Sequence, residues 1–372
     1  MDVPKYDGNI HPDEWIKDLQ KYDYFWRKKY NLTCLDMAIS LVDSTIKLPT
    51  GIDTYEKLSK ALKEDISFTI FKNTNKKMLQ LLKYVPESRG GNTSTFISRF
   101  RKLCYNAEIN DIEEQKEYLY KSLPMNHIDH ISIEFYKKME NVDSINKLIK
   151  EFEDFSIYLT ELIVNESVVA LKHVATGKYL SSIENLRYKT GSKNQLVFVD
   201  SPEPGPNSLW KIDFNDKELA TYAGTSIRLQ HIKSNKFLGI CYEGYQGSFI
   251  YGFYGYYKSP LTKQTWAWEK HTEVSCGGDE NKWTFKHSKL ESHQGFLKSN
   301  DIINLAIKKK YDTNGDSTSD RQVEFLRSHD IQFTIRGDTF QEVCCHDEKL
   351  GENDEWCIKL IKQYNLTLDQ IS

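Results

Sequence analysis

The chain is 372 residues long, 39% hydrophobic and 28% charged, enough for two ordinary domains with cores of their own and too apolar for a disordered polymer. Its 50 basic and 53 acidic side chains leave a net charge of -3, which excludes a field over the whole molecule that draws it to nucleic acid or an anionic membrane. The opening "MDVPKYDGNIHPDEW" has neither the basic nor the apolar part of a leader, and no apolar run approaches ~18 residues, so a soluble intracellular protein is expected.

Residues 12 to about 165 carry apolar side chains at intervals of three and four, with Lys and Glu between them, and predict helices. "PDEWIKDLQKYDYFWRKKY" opens with Pro12 and acidic residues, as a helix N-terminus does, and sets Trp15, Leu19, Tyr22 and Trp26 on one face. Further helices are expected at 33–46, 54–65, 67–84, 92–108, 111–122, 127–140 and 143–163, with "LPTG" and "PESRGGNTS" as breaks. Thr93 or Ser94 is the expected cap of the helix that buries Phe96, Phe100, Leu103 and Ala107.

After "LIVNESVVALKH" the period changes from helical to alternating, placing a boundary near 164 to 167 and an all-β second half. "LKHVATGKYLSS" at 171 returns as "LQHIKSNKFLGI" at 229, each a strand, a tight turn and a second strand. Trp210, Trp283 and Trp356 stand 73 residues apart, "EVSCGGDENKWTF" at 273 recurs as "EVCCHDEKLGENDEWCI" at 342, and "NQLVFVDS" at 194 recurs as "RQVEFLRS" at 321. Self-similarity at several places predicts repeated supersecondary units around a shared axis. Three such units make a β-trefoil, whose core the tryptophans are expected to fill, although the unit borders stay open.

The stretch "LKHVATGKYLSS", followed by "TGSKNQLVFVD" and "NSLWKI", resembles a MIR domain, the β-trefoil module of protein O-mannosyltransferases, inositol trisphosphate receptors and ryanodine receptors. His173, Gly177, Tyr179 and Leu180 match its motif, as do His231, Phe237 and Leu238 in a second copy. A third copy is assigned to His287 and the "GFLKS" segment. The resemblance covers residues 166 to 361 and implies a binding module. It brings none of the catalytic or channel-forming parts of those families and no Arg and Lys cluster for inositol phosphates.

The helical half resembles the capsid region of retrotransposon Gag polyproteins, at Tyr6, Gly8, Trp15, Phe96, Phe100, Leu103, Ala107, Leu123 and Pro124. That resemblance implies self-association. No C-x2-C-x4-H-x4-C knuckle is present, so RNA packaging by that route is not implied. The expected organisation is therefore an all-α, capsid-like domain at 1–165 followed by an all-β, MIR-like trefoil at 166–372.

Candidate sites are few. "CYEGYQGSFIYGFYGYYKSP" sets Tyr242, Tyr245, Tyr251, Phe253, Tyr254, Tyr256 and Tyr257 among glycines in an insertion between repeat strands. Such rings can stack on a glycan or fill a partner's groove, and the same stretch also reads as an extra hairpin packed on the barrel. "DTNGDSTSD" puts Asp312, Asn314 and Asp316 at calcium-loop spacing, but Ser317 replaces the glycine and Val323 the bidentate Glu, so a solvated loop is expected. Of the 7 cysteines, Cys344, Cys345 and Cys357 with His346 form the tightest metal-competent group, yet adjacent strand residues point to opposite faces and no metal is expected. "RGD" at 336–338 is read as a chance match.

No G-x-S-x-G, phosphate loop, Rossmann glycine set or H-E-x-x-H is present, and the carboxylates lie in mixed-charge runs of solvated helix faces. His173 and His231 sit at repeat-equivalent places and read, with Tyr179, Leu180, Phe237, Leu238 and the three tryptophans, as framework rather than as a general base. The expectation is a nonenzymatic binding or adaptor protein without a cofactor, recognising a glycan, a small polar ligand or a protein. The alternatives are a Gag-derived assembly protein that homo-oligomerises through its helical half, and an enzyme whose motif is not recognised.

Overall fold

The computed structural model describes all residues except 1–4, 23–32, 88–89, 125, 127, 189–191, 215–218, 223, 241–271, 278–280, 291–292, 294, 309–321, 336 and 364–372. The chain divides into two compact units, Met1–Thr160 and Glu161–Ser372.

The first unit is helical, with α1 (Pro12–Gln20), α2 (Cys34–Ser40), α3 (Tyr55–Glu64), α4 (Ile66–Leu81), α5 (Thr93–Asn106), α6 (Ile112–Ser122), α7 (Asp129–Met139) and α8 (Ile145–Glu161). Side chains of Thr33, Thr54, Asp65 and Asp111 accept backbone N–H groups that the first turns of α2, α3, α4 and α6 leave unpaired. Helix α5 is capped by Asn92, not by Thr93 or Ser94 as the sequence suggests. Asn92 still has extended backbone and reaches Thr95 N at 2.7 Å, whereas the next two residues are already helical. Helix α2 stops at Ser40, short of the expected 46, because Tyr6 N takes the Leu41 carbonyl and Asp43 N takes that of Tyr6. Trp15 and Leu19 of α1 pack with Tyr6, Leu58 and Leu62, and Phe96 stacks on Phe152 at 5.5 Å. Trp26 lies outside the described residues.

Among the described residues the second unit holds twelve strands in one antiparallel sheet system. They are β1 (Val168–His173), β2 (Tyr179–Arg187), β3 (Gln195–Asp200) and β4 (Trp210–Asp213); β5 (Ser226–His231), β6 (Phe237–Ile240), β7 (Thr272–Gly277) and β8 (Trp283–His287); and β9 (Ile302–Lys308), β10 (Val323–Ile335), β11 (Asp338–His346) and β12 (Trp356–Lys362). In each group of four the first strand pairs with the fourth, and the fourth pairs with the first strand of the next group, β12 returning to β1. This closes a ring of six strands. The middle strands form the hairpins β2–β3, β6–β7 and β10–β11, and β3, β7 and β11 pair with one another.

The ring encloses a core in which each group contributes equivalent residues: Val169, Ile227 and Ile303; Leu171, Leu229 and Leu305; Leu180, Leu238 and Leu326. Links between groups repeat too, with a left-handed residue at Glu166, Gly224 and Asn300 (φ 64, 97 and 73°). The turns after β1 and β5 take the same left-handed residue at Gly177 (φ 70°) and Asn235 (φ 54°), the two residue types that tolerate it best. That is the physical content of the match between "ATGK" and "KSNK".

The third copy differs from the sequence expectation. His287 ends β8, while Ile307 of β9 pairs with Trp283 where His231 pairs with Trp210 and His173 with Trp356. The partner of Tyr179–Leu180 and Phe237–Leu238 is Phe325–Leu326, since Leu326 pairs with Cys345 as Leu180 does with Val199 and Leu238 with Cys276. "RQVEFLRS" therefore falls on β10, a second strand of its group, and "NQLVFVDS" on β3, a third strand.

Candidate functional site

The nine framework residues lie on β1, β2, β4, β5, β6, β8 and β12. Trp210, Trp283 and Trp356 are fully buried, and each donates its indole N–H to one carbonyl, of Leu180 (3.0 Å), Leu238 (2.9 Å) and Leu326 (3.0 Å). His173 donates from Nε2 to Asn353 O (3.0 Å), so its Nδ1 accepts the Thr176 hydroxyl (2.9 Å). His231 repeats this with Asn207 O (3.1 Å) and Ser234 (2.9 Å). Burial pushes both imidazoles below the ordinary value, and neither reaches solvent. Each clamps its turn to the connection that precedes the tryptophan it pairs with, and neither is placed for acid–base chemistry. Tyr179 is buried beneath Lys172, and Phe237 lies under Arg228.

The three hairpins meet at one end of the β unit. Leu186, Leu196 and Phe198 of the first pack against Phe333, Ile335 and Phe340 of the third, with Phe198 and Phe340 rings 4.5 Å apart. Beneath them Gln195 bonds Ser182 (2.8 Å), whose hydroxyl bonds Leu196 O, and Gln341 and Ser328 repeat the pair at 3.2 Å. The second hairpin is stitched to both neighbours at its root. Tyr188 donates to Val274 O (2.8 Å), Ser192 bonds Glu273, and Thr272 bonds Glu324 (3.0 Å). Strands β6 and β7 stay paired up to Ile240 and Val274.

Tyr242, Tyr245, Tyr251, Phe253, Tyr254, Tyr256 and Tyr257 lie outside the described residues, as do Asp312, Asn314 and Asp316. Val323 stands in β10, and of "RGD" Gly337 (φ 94°) lies in the β10–β11 turn while Asp338 opens β11 and pairs with Ile335. Cys345 points into the core, Cys344 to the other face, 4.0 Å from His329 Nε2, and Cys357 pairs across to Lys172.

Reading motifs in sequence missed a buried ionic network beside these cysteines. Asp354, fully buried, accepts from His346 Nε2 (2.8 Å), Arg327 Nε (2.8 Å) and Gly351 N (2.6 Å). Burial alone would raise its carboxyl, but these donors outweigh it and hold the pKa at about 2. The network fixes Asn353, the acceptor of His173. Its members are spread from 327 to 354 on three elements, and no spacing announces them.

No family model matches the chain, and no curated protein does. Among solved structures, a Caenorhabditis elegans protein of unknown function is similar at 21% identity, covering 54% of this chain and 97% of that one (TM-score 0.38). The SDF2-like protein from Arabidopsis thaliana is similar at 24% identity, over 55% of this chain and 99% of its own (TM-score 0.37). The Saccharomyces cerevisiae protein O-mannosyltransferase Pmt1-Pmt2 complex bound to the sugar donor matches at 13% identity, over 72% and 44% (TM-score 0.37). These scores are low, and the three-group architecture rests on the strand pairing of this chain. Among the described residues no helix is long and apolar enough to cross a membrane.

Proposed function

We propose that the chain is a nonenzymatic binding protein, in which a MIR-type β-trefoil presents its three-hairpin end to a glycan or a protein and the helical unit serves as scaffold. One observation carries this reading: Thr272, Glu273 and Val274, the first described residues after the tyrosine-rich stretch, are bonded to both neighbouring hairpins. The absence of catalytic sequence motifs and the structural use of His173 and His231 agree with it. Replacing residues 242–270 by a two-residue Asn-Gly turn, which suits a hairpin, is expected to abolish binding in a glycan array and in pull-downs while the circular dichroism spectrum of the full chain keeps its strand signal. Unchanged ligands after that replacement would end the proposal.

A second reading, a capsid-like assembly unit, is favoured by exposed apolar side chains on α4, where Ile66, Ile70 and Leu81 are 69, 60 and 78% exposed. Sedimentation equilibrium of the full chain is expected to show self-association that Ile70→Glu with Leu81→Glu removes. A monomer at every concentration would leave only the scaffold role.

A further inference from the structure

We propose that His287 and His293, on the link between the second and third groups of strands, form a two-imidazole site for a borderline divalent metal ion such as Zn2+. Their ring centroids are 5.3 Å apart with planes at 63°, and both rings are half-buried at the surface. The spacing suits a shared ion: with a metal–nitrogen bond of about 2.0 Å, each centroid stands roughly 3.2 Å from the ion, and a tetrahedral angle puts the centroids about 5.2 Å apart.

The other two groups act as an internal control. The residue four places after each repeat tryptophan is Phe214, His287 or Leu360. Phe214 is buried and Leu360 packs on the core, with their N–H groups held by the side chains of Asn165 (2.8 Å) and Ser299 (3.0 Å). At the second group the fold replaces that closure by an imidazole, and Tyr222, two places before the left-handed Gly224, packs against it.

The Tyr222 ring lies 5.7 Å from His287 and 4.7 Å from His293, and its hydroxyl donates to Asp301 Oδ2 at 2.7 Å. It buttresses both imidazoles without occupying their nitrogens. His287 Nδ1 accepts Lys289 N–H at 3.2 Å, so Nε2 is the nitrogen it offers to an ion, and among the described residues no protein group bonds the ring nitrogens of His293. A Cβ at position 295 would meet His293 Nε2 at 2.7 Å, so Gly295 gives that ring its room. When Nε2 of His287 binds the ion, its proton moves to Nδ1 and the long Lys289 contact is exchanged for water. No group of three or more His, Cys, Asp or Glu among the described residues is placed to hold a metal, so the remaining positions belong to water or to donor atoms of a ligand.

Isothermal titration of the full chain with ZnCl2, under reducing conditions, tests the site. His287→Phe copies the first group and is expected to keep the melting temperature while weakening one Zn2+ event at least tenfold, roughly the loss of one of two ligands. His293→Ala, at a half-exposed loop residue, is expected to do the same, and Gly295→Ala to weaken it less. Binding by both histidine variants equal to the wild type, or no uptake by the wild type at about 100 μM Zn2+, overturns the proposal.

Discussion

Trp356→Ala is expected to destabilise the β unit by about 3–5 kcal/mol, and Trp356→Phe by about 2 kcal/mol. The indole is fully buried in the shared core, packs 5.0 Å from His173, and is paired through its backbone with both β1 and β9. Alanine opens a cavity where three strands meet. Phenylalanine keeps most of the volume but leaves the Leu326 carbonyl, otherwise bonded by the indole N–H at 3.0 Å, without that donor. Urea unfolding of the full chain followed by far-ultraviolet circular dichroism measures both. A loss under about 1 kcal/mol for alanine would show that this part of the core collapses around the deletion, against the close packing assumed for it.

Asp354→Asn is expected to cost about 3 kcal/mol, because it leaves Arg327 and His346 facing a neutral amide in a buried site. The acid response should change with it. The carboxyl is held down at about 2 from 3.8, so its stabilisation, on the order of 2 kcal/mol, is whole above the ordinary carboxylate range and is lost as pH falls toward 2. His173 and His231 are depressed from 6.5 by burial. Their contribution is complete above that value and declines as pH falls below it, since the unfolded chain then takes up the protons. Wild-type stability should therefore fall in two stages, and the Asn variant should show only the upper one. Urea midpoints between pH 8 and pH 2.5 distinguish the two cases. A lower stage retained by the variant would place the acid sensitivity in other carboxylates.

Much of the β unit was legible because its signals are local or periodic. Trp210, Trp283 and Trp356 announce themselves by equal spacing, and two turns do so because each needs a left-handed residue. The third copy was not legible, since Ile307 stands where the histidine is expected and Phe325–Leu326 follows only after a longer connection. With the motif broken, His287 was the nearest histidine in sequence, although it closes a different strand. The cap of α5 was missed by one residue because Asn92, Thr93 and Ser94 can all cap, and backbone angle, not residue type, decides among them. The grouping of Tyr222 with His287 and His293 gave no signal. Tyr222 is remote from the two histidines in sequence, and only the pairing of the strands brings it against them.

The pairing of β1 with β12 sets the order in which this protein can fold. Val168 meets Lys362 and His173 meets Trp356, so the ring joins its first strand to its last across nearly the whole β unit. Closing so long a loop delays the reward of contact until late, and makes this unit slow beside the helical one, whose caps and turns are local. During synthesis β1 must wait for β12 to leave the ribosome, with one edge unpaired and open to other chains. The clamp from His173 to Asn353 is then among the last bonds to form, and it works as a latch on a completed ring.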